Sequence, residues 1–176
     1  VPIKNFQQYI DLYIGEKTVS QRVYEDNGDR WEYAVALTPT NEFVQVSFVN
    51  GIHTAKGGKH VEYILNQITR KLGEFIEKKK KVKVNPNTIK EQLILFLRCD
   101  IENPAFDSQT KDYMNTPATK FGSKCDVSDK FIENTNMFVQ LDRKEAVQKA
   151  LSLAKPTDTV VMLALGAQTI MVRKEG

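Results

Sequence analysis

The sequence predicts an α/β protein in which one long helix lies across a β-sheet, and three stretches carry that expectation. Val61, Ile64, Leu65, Ile68, Leu72, Phe75 and Ile76 recur with the period of an amphipathic helix, over about five turns. Before it, Trp31, Tyr33, Val35 and Leu37 alternate along residues 30–37 as one face of a strand does. After it, Leu93-Ile94-Leu95-Phe96-Leu97 is apolar at every position, the pattern of a central strand covered on both faces.

The other elements follow in chain order. Asn5 suits the cap of a short helix whose face is Phe6, Tyr9, Ile10 and Tyr13, and Gly15 ends it. Strand character begins near Val19. Pro39-Thr40-Asn41 reads as a turn, with a second strand over 43–49 paired across it to 30–37. Asn50-Gly51 breaks that strand. Gly57-Gly58 precedes the long helix, where two residues without side chains permit close packing as strand passes to helix. Asn85-Pro86-Asn87 turns the chain into a short helix. From Ala105 to Cys125 the sequence is polar, contains Pro117 and Gly122, and has no period. A loop that long inside a compact domain usually carries function. Ser128 is placed to cap a helix running through Ile132. Farther on, Ala146, Val147, Ala150 and Leu151 form one helix face and Lys155-Pro156-Thr157-Asp158 a turn. A buried strand is expected over 160–165 and another short one over 169–173.

Composition narrows the class. The chain has 176 residues, enough for one domain with or without a small appendage. Its 41% hydrophobic and 27% charged residues suit an ordinary buried core. No apolar run approaches the roughly 18 residues of a membrane span, and no N-terminal signal pattern is present. The start at Val1-Pro2, without an initiator Met, suggests an excised piece. Cys99 and Cys125 stand far apart, each without a second thiol nearby, so free thiols in a reducing compartment are expected. His53 and His60 have no Cys or carboxylate at ligand spacing, so no metal site is expected. Gly57-Gly58 lacks the Gly-Lys-Ser/Thr ending of a phosphate loop. The net charge of +3 is modest, but Lys78, Lys79, Lys80, Lys81 and Lys83 crowd into one short stretch. Local positive charge is what attracts phosphate.

Several blocks, in order, carry a family likeness. They begin with Arg30-Trp31-Glu32, followed by Gln45-Val46-Ser47-Phe48-Val49-Asn50-Gly51-Ile52 and Lys56-Gly57-Gly58-Lys59-His60-Val61. Next comes Ile101-Glu102-Asn103-Pro104-Ala105-Phe106-Asp107-Ser108-Gln109-Thr110-Lys111, and Phe121-Gly122-Ser123-Lys124-Cys125 is last. In this order the blocks resemble the transducer domain of eukaryotic-type type IIA DNA topoisomerases, over residues 1–133. The resemblance implies a mixed sheet with helices on one face and a left-handed βαβ crossover. It implies a domain that links a GHKL-type ATPase domain to a DNA-cleavage core, in a nuclear homodimer that acts on double-stranded DNA. ATP and Mg belong to that intact enzyme, and none is expected on this fragment alone.

In such transducers a Gln-Thr-Lys loop reaches the γ-phosphate of ATP, which by position assigns Gln109 and Lys111. The chemistry suits the residues. Lysine is a compact charge on a flexible stem, able to probe whether a terminal phosphate is present. One unit charge pair at about 4 Å and an effective dielectric near 20 is worth roughly 4 kcal/mol. Gln109 adds a neutral hydrogen bond, and Asp107 is expected to hold the turn through its carboxylate. The lysine run, Lys78 to Lys83, occupies the place of a lysine loop facing the cavity for the transported duplex, where it would contact phosphates without reading sequence. The sequence lacks the asparagine-bearing nucleotide helix, the glycine-rich ATP lid, the acidic metal cluster and the nucleophilic tyrosine region. No catalytic residue is assigned, and catalysis by this piece alone is not expected.

Beyond Glu133 the likeness stops. Asp142-Arg143-Lys144-Glu145-Ala146, Ala150-Leu151, Ala154 to Val160 and Gly166 resemble, more faintly, the end of a muramyl-peptide ligase. That domain carries Lys and His around its last glycine, whereas Leu165 and Ala167 stand here. Residues 134–176 are therefore read as a helix–strand extension, fused or native. Two alternatives to the transducer role are a nonspecific DNA-binding module that uses the lysines and an inactive ligase-like fusion.

Overall fold

The computed structural model describes residues 2–17, 22–136, 159–163 and 169–173. The chain divides into two compact units, Val1–Phe138 and Val139–Gly176.

The first unit opens with α1, Phe6–Ile14, capped as expected: the Asn5 side chain accepts from the Gln8 N–H at 2.9 Å. Gly15, at φ 82°, closes it with a backbone bond to the Asp11 carbonyl. A five-stranded sheet follows. β1 (Arg22–Asp26) pairs antiparallel with β2 (Trp31–Leu37), and β2 pairs antiparallel with β6 (Leu93–Cys99). β3 (Val44–Val49) runs parallel to β6, and β4 (Ile52–His53) lies outside β3, giving the order β1-β2-β6-β3-β4.

One expected pairing is corrected. The strand at 43–49 does not pair with 30–37 across the Pro39 turn, because β6 lies between them. Leu93, Leu95, Phe96, Leu97 and Cys99 are all buried, so β6 would lose most by standing at an edge. Its parallel partner β3 is reached through α2, Lys59–Lys80, making a βαβ unit. The sheet is mixed and the class is α/β, as the sequence predicts.

The sheet is covered on both sides, which is wider than the expected arrangement of helices on one face. Successive side chains of β2 point to opposite faces. Trp31 packs on Tyr63 of α2 and on Phe121, each with ring centroids 5.8 Å apart. Tyr33 meets Phe131 of α4 (Asp129–Asn136) at 5.0 Å. Ala34, the next residue along the strand, joins Ile10 of α1, Val46 and Phe96 in a cluster on the other face. There Tyr9 meets Phe48 edge-on at 5.2 Å, and Tyr13 meets Phe96 at 5.8 Å. The apolar stripe of α1 needs a partner, and this face of the sheet supplies it. Arg22 fastens the arrangement, its buried guanidinium donating to the Asp11 carboxylate and to the Gly15 carbonyl.

The core of the other face is α2, which buries Ile64, Leu65, Ile68, Leu72 and Ile76. A short α3, Pro86–Lys90, is capped by the Asn85 side chain. Ser128 caps α4, its hydroxyl accepting from the Phe131 N–H at 3.0 Å, and that helix runs on past Ile132. Two residues at Gly57–Gly58 (β5) pair in parallel with Tyr113–Met114 (β7). Cys99 and Cys125 are buried free thiols, and burial pushes Cys125 up to about 12, which leaves an unreactive thiol.

In the second unit, β8 (Thr159–Leu163) and β9 (Thr169–Arg173) form an antiparallel pair. The helix and turn expected over 146–158 lie outside the described residues.

Candidate functional site

The long polar segment after Pro104 contains a short hairpin. Phe106 and Met114 form an antiparallel bridge, the Asp107 N–H donates to the Tyr113 carbonyl at 3.1 Å, and the Asn115 N–H to the Ala105 carbonyl at 2.9 Å. At its tip the Lys111 N–H donates to the Ser108 carbonyl at 3.1 Å, closing a four-residue turn. Gln109 and Lys111 are both exposed there.

Lys111 sits at φ 59°, in the left-handed region. For a residue with a β-carbon this costs about 1–2 kcal/mol, so the turn must be held by its neighbours. Side-chain bonds do so. The Thr110 hydroxyl lies 2.7 Å from the Ser108 hydroxyl and donates to the Asp112 carboxylate at 3.0 Å. The Ser108 hydroxyl also lies 3.3 Å from the carboxylate of Asp107, the residue expected to hold the turn. Asp112 does more, and sequence reasoning missed it. The signal was an Asp placed two residues after a threonine in a turn-rich segment. The Lys111 ammonium lies 5.8 Å from the Phe106 ring centroid, at the outer limit of a cation–π contact.

The base of this hairpin is joined to the start of α2. The Lys56 N–H donates to the Asp112 carbonyl at 2.9 Å, and the Lys56 ammonium is 3.7 Å from the Asp112 carboxylate. The Tyr113 hydroxyl donates to Glu62 at 3.0 Å, and Glu62 pairs with Lys59 at 2.8 Å. Hydrogen bonding to Lys59 holds the Glu62 carboxyl below the ordinary range, with Tyr113 adding to it. Beneath lies a buried polar chain. The Ser47 and Thr54 hydroxyls are 2.5 Å apart, and Thr54 Oγ1 is 3.1 Å from His60 Nε2. Burial lowers His60 to about 4, so it is neutral. Gln45 donates to the carbonyls of Thr54 and Ala55, at 3.2 and 3.0 Å, which fixes the segment that leads into Gly57–Gly58.

The lysines are not beside this loop. Lys78 and Lys79 lie exposed in the last turn of α2, Lys80 ends it, and Lys81 caps it in the left-handed conformation at φ 57°. Lys83 is exposed just beyond. The side chain of Lys80 is outside the described residues. The Lys79 ammonium stands 4.4 Å over the Phe75 ring. Glu74 and Glu77 share a shallow groove with Lys78 and Lys81, so the patch is mixed in sign. The helix has 22 residues and is about 33 Å long, with the hairpin base joined to its start and the lysines at its end. The predicted site residues thus belong to structures at opposite ends of α2.

A family model described as DNA gyrase B matches residues 5–155. The chain belongs to that family. A probable DNA topoisomerase 2 of Dictyostelium discoideum is 43% identical over 148 residues, 82% of this chain and 9% of its own length. DNA topoisomerase 2-beta of Mus musculus is 41% identical over 140 residues, 76% of this chain and 9% of its own. The chain therefore spans about a tenth of the curated relatives it matches. Two solved structures share the fold. The ATPase region of Saccharomyces cerevisiae topoisomerase II gives a TM-score of 0.70 at 39% identity, over 78% of this chain and 35% of that one. The ATPase and transducer domains of DNA topoisomerase II from Balamuthia mandrillaris give 0.73 at 37% identity, over 84% of this chain and 38% of that one. The likeness to type II topoisomerases suggested by the ordered blocks is thus shown. The family match reaches residue 155, past the boundary placed at 133 from the blocks alone.

Proposed function

We propose that this chain is the transducer segment of an ATP-dependent type II DNA topoisomerase, sensing the ATP γ-phosphate through Gln109 and Lys111 and relaying nucleotide state to the DNA gate. The observation that carries the reading is the placement of Lys111: an exposed cation, in a backbone conformation that its neighbours must hold, at the tip of a hairpin fastened to α2. ATP supplies the charge to be sensed, a terminal phosphate that is present before hydrolysis and absent from its product. Lys111 would meet that phosphate as a point charge, and Gln109 would fix its orientation by a neutral hydrogen bond.

The magnitude is adequate for a switch. An ion pair of roughly 4 kcal/mol biases two arrangements of the enzyme by almost a thousandfold. An ion pair that forms in one state and breaks in the other is what a ligand-driven change requires. The hairpin's attachment to α2 gives the signal a stiff path to the lysine end of that helix. Lys78, Lys79, Lys80, Lys81 and Lys83 would there contact phosphates of double-stranded DNA without reading sequence.

The partners of this reading are a GHKL-type ATPase domain, a DNA-cleavage core and a second copy of the enzyme, in the nucleus. In this reading magnesium would be held with the nucleotide by other parts of the enzyme. No described helix is long and apolar enough to cross a membrane. Residues 1–133 form the transducer in this reading, and 134–176 an extension; the compact units divide a few residues later, after Phe138, and the family match runs on to 155. The experiment is Lys111→Ala in the enzyme that carries this chain together with its ATPase domain, which should depress ATP hydrolysis and strand passage. A plain DNA-binding module would instead bind duplex with the same affinity whether or not nucleotide is present.

A further inference from the structure

The three residues at the tip of the hairpin do not behave alike. All three are exposed, but the hydroxyl of Thr110 is engaged by Ser108 and by Asp112, whereas the side chains of Gln109 and Lys111 have no hydrogen-bond partner among the described residues. The carboxylate oxygen that accepts from Thr110, Asp112 Oδ2, is also the one facing the Lys56 ammonium. Asp112 further binds the Lys56 N–H through its own carbonyl. One residue therefore ties the turn to the strand-to-helix segment that begins α2.

From this we infer that Thr110 and Asp112 are positioning residues for Lys111, an inference that rests on the phosphate-sensing reading of that lysine. Together they act in two ways. The Ser108–Thr110–Asp112 hydrogen bonds over-determine the turn, which keeps Lys111 in its left-handed conformation. The Lys56 ammonium screens the Asp112 carboxylate. Unscreened, a negative charge one residue from Lys111 would oppose the approach of a phosphate. Thr110 is thus explained by its hydroxyl alone: a residue of the same shape without it should lose the function.

Conservative and disruptive variants separate these roles. Thr110→Ser keeps the hydroxyl, and Thr110→Val keeps the shape without it. Asp112→Asn keeps an oxygen that can accept from Thr110, and Asp112→Ala removes it. In the 176-residue chain, NMR scalar couplings at Lys111 report its φ directly. Thr110→Val and Asp112→Ala should shift the Lys111 coupling toward that of an averaged loop, while Thr110→Ser and Asp112→Asn keep the original value. In the enzyme carrying its ATPase domain, Thr110→Val should lower kcat for ATP hydrolysis on the order of tenfold with KM unchanged, and Thr110→Ser should restore it.

Couplings that stay at the original value in both Thr110→Val and Asp112→Ala overturn the inference. So does an unchanged kcat in Thr110→Val when Lys111→Ala lowers kcat in the same assay; the phosphate-sensing reading then stands without it. If Lys111→Ala leaves hydrolysis unchanged, that reading falls, and the couplings still decide whether Thr110 and Asp112 hold the turn.

Discussion

A β-carbon on Gly58 would stand 2.3 Å from the Met114 carbonyl oxygen and 2.7 Å from the Met114 amide nitrogen. The start of α2 and the end of the hairpin are in direct backbone contact, and only glycine permits it at φ 146°. Gly58→Ala should therefore cost about 3 kcal/mol or more, because backbone rather than a flexible side chain must give way. Gly28 is the control. It has φ 73° with nothing within 4 Å of an added β-carbon, so Gly28→Ala should cost only about 1–2 kcal/mol. Urea unfolding of both variants tests the difference, and equal losses would contradict a close-packed joint.

His60 makes stability depend on pH. Its folded value, about 4, lies below the ordinary 6.5 because burial disfavours the imidazolium. Between those values the unfolded chain binds a proton that the folded chain does not. The contribution is intact above pH 6.5 and is lost as pH falls toward 4, by roughly 3 kcal/mol in all. His60→Gln removes that titration, so the slope of unfolding free energy over this window should flatten. A slope unchanged by the substitution would show that other groups set it.

Much of this was legible in the sequence because local rules decided it. Asn5 and Ser128 cap the helices they precede, Asn85-Pro86-Asn87 leads into α3, and the 3.6-residue stripe from Val61 to Ile76 is the buried face of α2. Trp31 is core, with its indole N–H donating to Ser123 at 2.8 Å. Strand order was not legible. Residues 30–37 and 43–49 look like a hairpin from their turn, and only tertiary burial places β6 between them. The second covered face was also hidden, since the stripe of α1 names no partner. Within the site, Gln109 and Lys111 were found through family likeness. Asp112 was missed because its role depends on Lys56, far from it in sequence.

The lysines at the end of α2 make a separate prediction. Replacing Lys78, Lys79, Lys81 and Lys83 with alanine should weaken duplex binding alike for unrelated sequences. The slope of log affinity against log salt should become shallower by about 0.9 for each DNA phosphate that a lysine no longer neutralises. Glu74 and Glu77 in the same groove temper the patch, so their replacement by glutamine should strengthen binding. A salt slope identical in the alanine variant would rule out DNA binding at this end of the helix.

The proposed extension after 133 can be tested by limited proteolysis of the chain. A separate segment should be removed by early cleavage between 134 and 158, leaving a core that retains the sheet and α2. Cleavage within 105–113 before any loss of the extension would argue that the two parts form one unit.

The most direct measurement is the steady-state rate of ATP hydrolysis against ATP concentration, for Lys111→Ala and Lys111→Arg in the enzyme that carries its ATPase domain. A lysine that senses the γ-phosphate predicts a kcat reduced by one to two powers of ten in the alanine variant and partly restored by arginine, as expected for an ion pair worth a few kcal/mol. A kcat and KM both unchanged in Lys111→Ala would contradict the role assigned to this residue.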